Sequence, residues 1–200
     1  MWIGLVGSEM CIRDSLYIDI ALEYENIGLW EKAIDVLREA LKENPSNETA
    51  LHELGFCFET VGRHAESVAA FQAFVDEHPY SCPGWYNLGN AQQRTGEFEN
   101  AIASYGFALV IDEEFSPALL QKAAALTMVE DYQQALECYR ESILMDAPQA
   151  NTYTLRGECM ERMGKLNEAT DYYYCALELD GDFADAHVGL GVVAEMREDY

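Results

Sequence analysis

The sequence predicts an all-α fold of stacked helix pairs, and three observations carry that prediction. Related residues return every 34 positions from Asp14 onward. Within each period the apolar residues recur three, four and seven apart, which is the spacing of one helix face. Tyr17, Ile20, Ala21 and Tyr24 show it, as do Ala33, Leu37 and Ala40. A glycine stands between the two halves of most periods, where it permits a left-handed backbone and ends the first helix.

A fixed period of this length marks a repeat architecture. Units start at Asp14, Glu48, Cys82, Ser116, Ala150 and Ala184 without insertion or deletion. Five are complete (14–47, 48–81, 82–115, 116–149 and 150–183), and a partial sixth covers 184–200. A large residue opens each: Tyr17, Leu51, Trp85, Leu119, Tyr153 and His187. Four positions on comes a small residue: Ala21, Gly55, Gly89, Ala123, Gly157 and Gly191. The turn column reads Gly28, Gly62, Gly96 and Gly164, with Glu130 as the exception.

The second half of the unit is as regular. Trp30, His64, Phe98, Tyr132, Leu166 and Tyr200 open it. A small column follows at Ala33, Ser67, Ala101, Ala135 and Ala169, then a bulky one at Leu37, Phe71, Tyr105, Tyr139 and Tyr173. Ala40, Phe74, Ala108, Ser142 and Ala176 form a third, mostly small column. Small columns let helix backbones approach, and bulky columns fill the neighbouring gaps. Pro45 and Pro79 stop the second helix in the first two units. Ser116-Pro117 reads as a capping hydroxyl followed by a first-turn proline. One unit cannot bury its apolar face alone, whereas stacked units can.

Trp85, Leu88, Gly89, Gly96, Phe98, Ala101, Tyr105 and Ala108 resemble the tetratricopeptide repeat consensus, and the resemblance runs from residue 14 to 200. It implies antiparallel helix pairs stacked into a right-handed superhelix, an alpha-alpha solenoid, with first helices lining a concave groove. Lys122 and Arg156 depart from it where Leu54, Leu88 and Leu190 stand, as do Gln92 and Phe74.

Residues 1–13 fall outside the repeat. GLVGSEMCIRDS resembles a translated adapter sequence, so the leader is expected not to belong to the natural protein. The alternative is a short arm laid over the first helix by Trp2, Ile3, Leu5 and Val6. The apolar Val188, Leu190, Val192 and Val193 do not resemble a polar capping helix, so the chain is expected to be a fragment of a longer array.

The resemblance also implies a job: holding a protein or peptide segment in the groove. The groove-facing candidates are Ile18, Leu22, His52, Phe56, Tyr86, Asn87, Asn90, Leu120 and Glu158, within a wider set that includes Glu25, Glu59, Gln93, Thr154 and Glu161. None of these is Lys or Arg. Some relatives hold acidic chaperone tails with paired cations. Here Tyr86 and Gln121 stand where such cations would be wanted, which argues against that partner. The alternative function is the docking or regulatory segment of a larger enzyme.

Charge narrows the partner. Twelve Lys and Arg face 36 Asp and Glu, a formal charge of -24. Nucleic acids and anionic membranes need clustered cations and are excluded as partners. An apolar or basic protein segment suits the field. Cys11, Cys57, Cys82, Cys138, Cys159 and Cys175 form no C-x-x-C pair and have no histidine at metal-ligand spacing, so neither a metal nor a cofactor is expected. Buried free thiols fit a reducing, cytoplasmic setting. The scattered His52, His64, His78 and His187 form no catalytic pair, and the glycines follow no strand, so no enzyme site is indicated. Tyr172-Tyr173-Tyr174 is expected to place Tyr173 in the core and its neighbours in flanking packing.

Overall fold

The structure, a computed structural model, describes residues 3–145 and 149–198, with side chains described from Ser15 to Arg197 within them. Trp2, Tyr200 and the side chains of Ile3, Leu5, Val6 and Cys11 lie outside the described residues. All the regular elements among the described residues are helices: α1 (Ile3–Asn26), α2 (Trp30–Glu43), α3 (Glu48–Thr60), α4 (His64–Glu77), α5 (Cys82–Arg94), α6 (Phe98–Ile111), α7 (Ser116–Met128), α8 (Tyr132–Met145), α9 (Ala150–Arg162), α10 (Leu166–Leu179) and α11 (Ala184–Glu198). The all-α fold of paired helices is therefore as the sequence predicts.

The turn column explains where each first helix stops. Gly28, Gly62, Gly96 and Gly164 have φ between 72° and 80°, and Glu130 takes the same left-handed conformation at 64°. At all five turns two backbone bonds close the helix end. Gly96 N–H donates to Gln93 O at 3.1 Å, and Glu97 N–H to Gln92 O at 2.9 Å; Glu130 and Asp131 repeat the pattern on Thr127 and Leu126. This is a Schellman ending, which satisfies carbonyls the helix would otherwise leave bare.

Helix starts draw on side chains one position before the unit boundary. Asn47 Oδ1 accepts from Ala50 N–H at 3.0 Å, and Ser81 Oγ accepts from Gly84 N–H at 3.1 Å. Here the Ser116 expectation is corrected. Ser116 is the first residue of α7 and is buried, while Phe115 precedes the helix and gives no side-chain cap. The capping column holds a phenyl ring in this unit, and a ring has no acceptor.

The chain divides into two compact units, Met1–Ile111 and Asp112–Tyr200. In the first unit each helix of α1 to α6 packs on the next, and α1 lies against α3 and α3 against α5. In the second, α7 to α11 pack in the same succession, with α7 against α9 and α9 against α11. First helices thus lie side by side within each unit.

The columns interlock as their sizes require. Ala33, Ala101, Ala135 and Ala169 are fully buried, as are Tyr105 and Tyr173. A β-carbon added at Gly55 would stand 2.4 Å from the Phe71 ring, and one at Gly157 would stand 2.7 Å from Tyr173. Tyr173 is gripped from a second side too, since a β-carbon at Gly189 would approach it to 2.3 Å. Two of the departures from consensus, Phe74 and Gln92, are accommodated locally. Phe74 packs over Gly84, where a β-carbon would come within 2.9 Å. Buried Gln92 accepts from Ser104 Oγ at 2.7 Å, so its amide oxygen avoids the cost of an unmade bond.

Candidate protein-binding surface

The predicted groove residues of the first unit sit on α1, α3 and α5, the three first helices that lie side by side there. Their exposure divides them. Leu22 is 39% and Phe56 48% exposed, and His52 is exposed. Ile18, Tyr86, Asn87 and Asn90 are half-buried. Phe56 and Trp30 make a T-shaped ring contact at a centroid distance of 6.0 Å. In the second unit Leu120 of α7 is half-buried and Glu158 of α9 is exposed. Thr154, in the wider predicted set, is buried instead and donates to Ala150 O at 3.0 Å.

Several of these side chains already have partners in the chain. Tyr105 Oη donates to Asn90 Oδ1 at 2.9 Å and approaches Gln93 Oε1 at 3.1 Å. Asn90 therefore supports the core tyrosine of its own pair. Tyr173 Oη likewise donates to Glu161 Oε2 at 2.8 Å in the second unit. A bulky-column tyrosine thus spans the helix pair and ends at the first-helix surface.

Carboxylates dominate the electrostatics. Burial raises the Glu25 carboxyl above the ordinary range, a hydrogen bond from Cys57 Sγ at 3.3 Å opposes that shift, and the charge of Glu53 adds to it. Burial and the same contact push the Cys57 thiol up to about 12, so it stays protonated and unreactive. Desolvation raises the Glu158 carboxyl, with repulsion from Glu161 adding to it, although its side chain reaches the surface. Glu59 is paired across α3 and α5 with Arg94 Nε at 2.9 Å. Arg94 lies one position past the predicted groove residue Gln93, and the long arginine side chain brings a cation to this surface that a position-by-position reading missed. The Glu25–Cys57 bond joins residues 32 apart and had no signal in sequence.

Tyr173 is buried and Tyr172 stacks with Tyr153 at 6.4 Å and under Arg156 at 4.5 Å, as expected, but Tyr174, expected in flanking packing, is exposed instead. Cys57, Cys138 and Cys159 are buried thiols, and Cys82 and Cys175 are half-buried; none of the five is in a disulfide. Among the described residues no helix is long and apolar enough to cross a membrane.

These features define a class first: a helical-repeat solenoid protein whose first helices lie side by side within each unit. Two tetratricopeptide repeat family models match, over residues 18–81 and 83–114. The chain belongs to the tetratricopeptide repeat family, whose members are generally protein-interaction scaffolds. It is 25% identical over 180 residues to anaphase-promoting complex subunit 3 of Schizosaccharomyces pombe, covering 86% of this chain and 27% of that protein. A probable UDP-N-acetylglucosamine–peptide N-acetylglucosaminyltransferase, SPINDLY of Hordeum vulgare, is 25% identical over 148 residues, 70% of this chain and 14% of the relative. The chain therefore spans about a quarter or less of these relatives. Among solved structures, a thermophilic tetratricopeptide repeat protein of Thermus thermophilus aligns with a TM-score of 0.71 at 19% identity, covering 90% of this chain and 98% of that one.

Proposed function

We propose that the first-helix surface of α1, α3 and α5 binds a protein segment of apolar and basic character, as a scaffold rather than a catalyst. The carrying observation is the pair Leu22 and Phe56, apolar and accessible on helices that also carry the mutually repelling Glu25 and Glu53 and the Glu59–Arg94 pair. An aromatic side chain in contact with a neighbouring ring and still about half exposed is a good anchor. Excess negative charge favours Lys or Arg beside the anchor and disfavours acidic chaperone tails, nucleic acid and membrane. Tyr86, Asn87, Ile18 and His52 would border the anchor, and Leu120 and Glu158 would serve the equivalent surface in the second unit. Buried free thiols suit a reducing, cytoplasmic setting.

The test is a peptide array probed with the intact chain and with Phe56→Ala. Basic-apolar peptides should bind, and the substitution should weaken them about tenfold or more, as loss of a hot spot does. Equal binding of acidic and basic sets would defeat the reading. A second reading, a docking segment of a larger enzyme, is favoured by the transferase name of one relative and the small share of it that the chain covers. A catalytic domain in the same full-length reading frame would support it, and a frame of repeats alone would sink it.

A further inference from the structure

The outer face of α6 carries side chains that the repeat does not explain. Two columns of the second helix are exposed throughout the first unit, at Glu39 and Lys42 in α2 and at Ala73 and Asp76 in α4. The same columns hold Phe107 and Val110 in α6, which are 51% and 84% exposed in the intact chain. A large apolar group left in water gains nothing for folding, which describes Val110, whereas Phe107 keeps one packing contact, against the Trp85 ring. The Val110 column remains apolar and exposed in the next repeat, at Leu144.

Gly106 deepens the anomaly. It lies inside α6, has no left-handed backbone, and a β-carbon added there would meet open space. Glycine inside a helix weakens it relative to alanine. Gly89 is excused by the ring pressed against it, but Gly106 has neither a turn nor a ring to serve. Ala103, one turn earlier, is also exposed. Ala103, Gly106, Phe107 and Val110 stand at i, i+3, i+4 and i+7, a single stripe down the helix. Phe107 makes a ridge steadied by Trp85, whose ring lies 4.6 Å away, and Ala103 and Gly106 leave a shallow floor beside it.

We infer that this stripe is a second docking surface, separate from the first-helix surface, and that its occupant is an amphipathic helix of another protein with Lys or Arg flanking its apolar face. A helix is the occupant because a floor of small residues beside a ridge is the relief that another helix's ridges fit. The flanking cations follow from charge. From residue 95 to the end of α6 at Ile111 the sequence has no Lys or Arg, while Glu97 and Glu99 fall in that stretch, Glu99 one turn before Ala103 on the same stripe. A second copy is disfavoured, since each copy carries -24 and like charges would meet.

The test uses the full 200-residue chain and a fluorescein-labelled synthetic amphipathic helix with a leucine stripe flanked by lysines, alongside a twin flanked by glutamates. Anisotropy should show saturable binding of the lysine peptide, at least tenfold tighter than the twin. In a chain that already carries Phe56→Ala, so that the first-helix surface is disabled, Val110→Glu and Gly106→Gln should each weaken the remaining binding tenfold or more. Gly106→Gln removes a helix-interior glycine into open space, so its thermal midpoint should hold or rise, which separates lost docking from lost folding. No saturable binding, or equal binding of the twin, overturns the proposal. Loss on Phe56→Ala with none on Val110→Glu overturns it as well, and moves the peptide to the first-helix surface. Self-association in sedimentation that Val110→Glu abolishes would assign the stripe to a second copy and overturn the choice of occupant.

Discussion

The α5–α6 pair of the first unit and the α7–α8 pair of the second fill the same repeat columns with different chemistry. In α5–α6 the Tyr105 ring lies against Gly89, where a β-carbon would stand 2.5 Å away, and its hydroxyl reaches Asn90 and Gln93. In α7–α8 the corresponding residues are Tyr139 and Ala123, so the β-carbon is present and the ring is still buried. There the phenol bonds with Thr127, in the column of Gln93. The turns differ in the same way, Gly96 against Glu130, with φ of 80° and 64°. The comparison teaches that the backbone path is common property, while the residues that achieve it are negotiated pair by pair.

The largest expected effect tests the ring pocket. Gly89→Ala forces the Tyr105 ring to move and should cost about 1–3 kcal/mol, the usual range for overpacking. Ala123→Gly in the other pair should cost only about 0.5–1 kcal/mol, the helix-interior penalty of glycine. Native-state hydrogen exchange resolves the two pairs separately, which a single unfolding midpoint of a repeat array does not. Equal losses in both pairs would show that their ring packing is equivalent after all.

A smaller effect tests the turns. Gly96→Ala should destabilise α5–α6 by about 1 kcal/mol, because an alanine is strained in the left-handed region. Glu130→Gly relieves that strain but loosens the unfolded chain, so a net gain of about 0.5 kcal/mol is expected. Urea titration of the two variants against the parent checks the signs. A loss on Glu130→Gly would reveal a role for its side chain beyond the turn.

The smallest effect is the response to alkali. Burial raises both phenols, with the Tyr86 charge adding to the shift at Tyr105, while the Thr127 bond eases it at Tyr139. A pKa raised on folding leaves stability intact below the unfolded value of about 10 and removes it as pH climbs higher. Stability should therefore fall as pH rises past about 10, and fall less in Tyr105→Phe and Tyr139→Phe than in the parent. Urea titration on either side of that pH checks it, and an equal fall in parent and variants would contradict the account of their burial.

The repeat, its helix pairs and its turns were legible because they rest on spacing and residue size. Ala33, Leu37 and Tyr105 each lie in the environment their column implies. The candidate surface was legible only in part. The resemblance put Phe56 and Leu22 on the first-helix surface, and both are exposed, but nothing local marked Asn90 as the acceptor of Tyr105 or Cys57 as the donor to Glu25. Those contacts join residues on different helices, and their partners are set by how two faces meet. Ser116 was misassigned because serine suits both a cap and a buried first turn, and only the position of the helix start separates them.

The sequence by itself determined the period, the fold class and the sign of the surface, because columns of size and charge repeat along the chain without reference to packing. Only the tertiary structure decided that Glu130 adopts a glycine's backbone, that Asn90 serves the core, and that Gly106 faces open space while Gly89 faces a ring. The physical reason is the same in each case. A residue type limits what a position can do, but the neighbour that arrives from another helix selects which of those things it does.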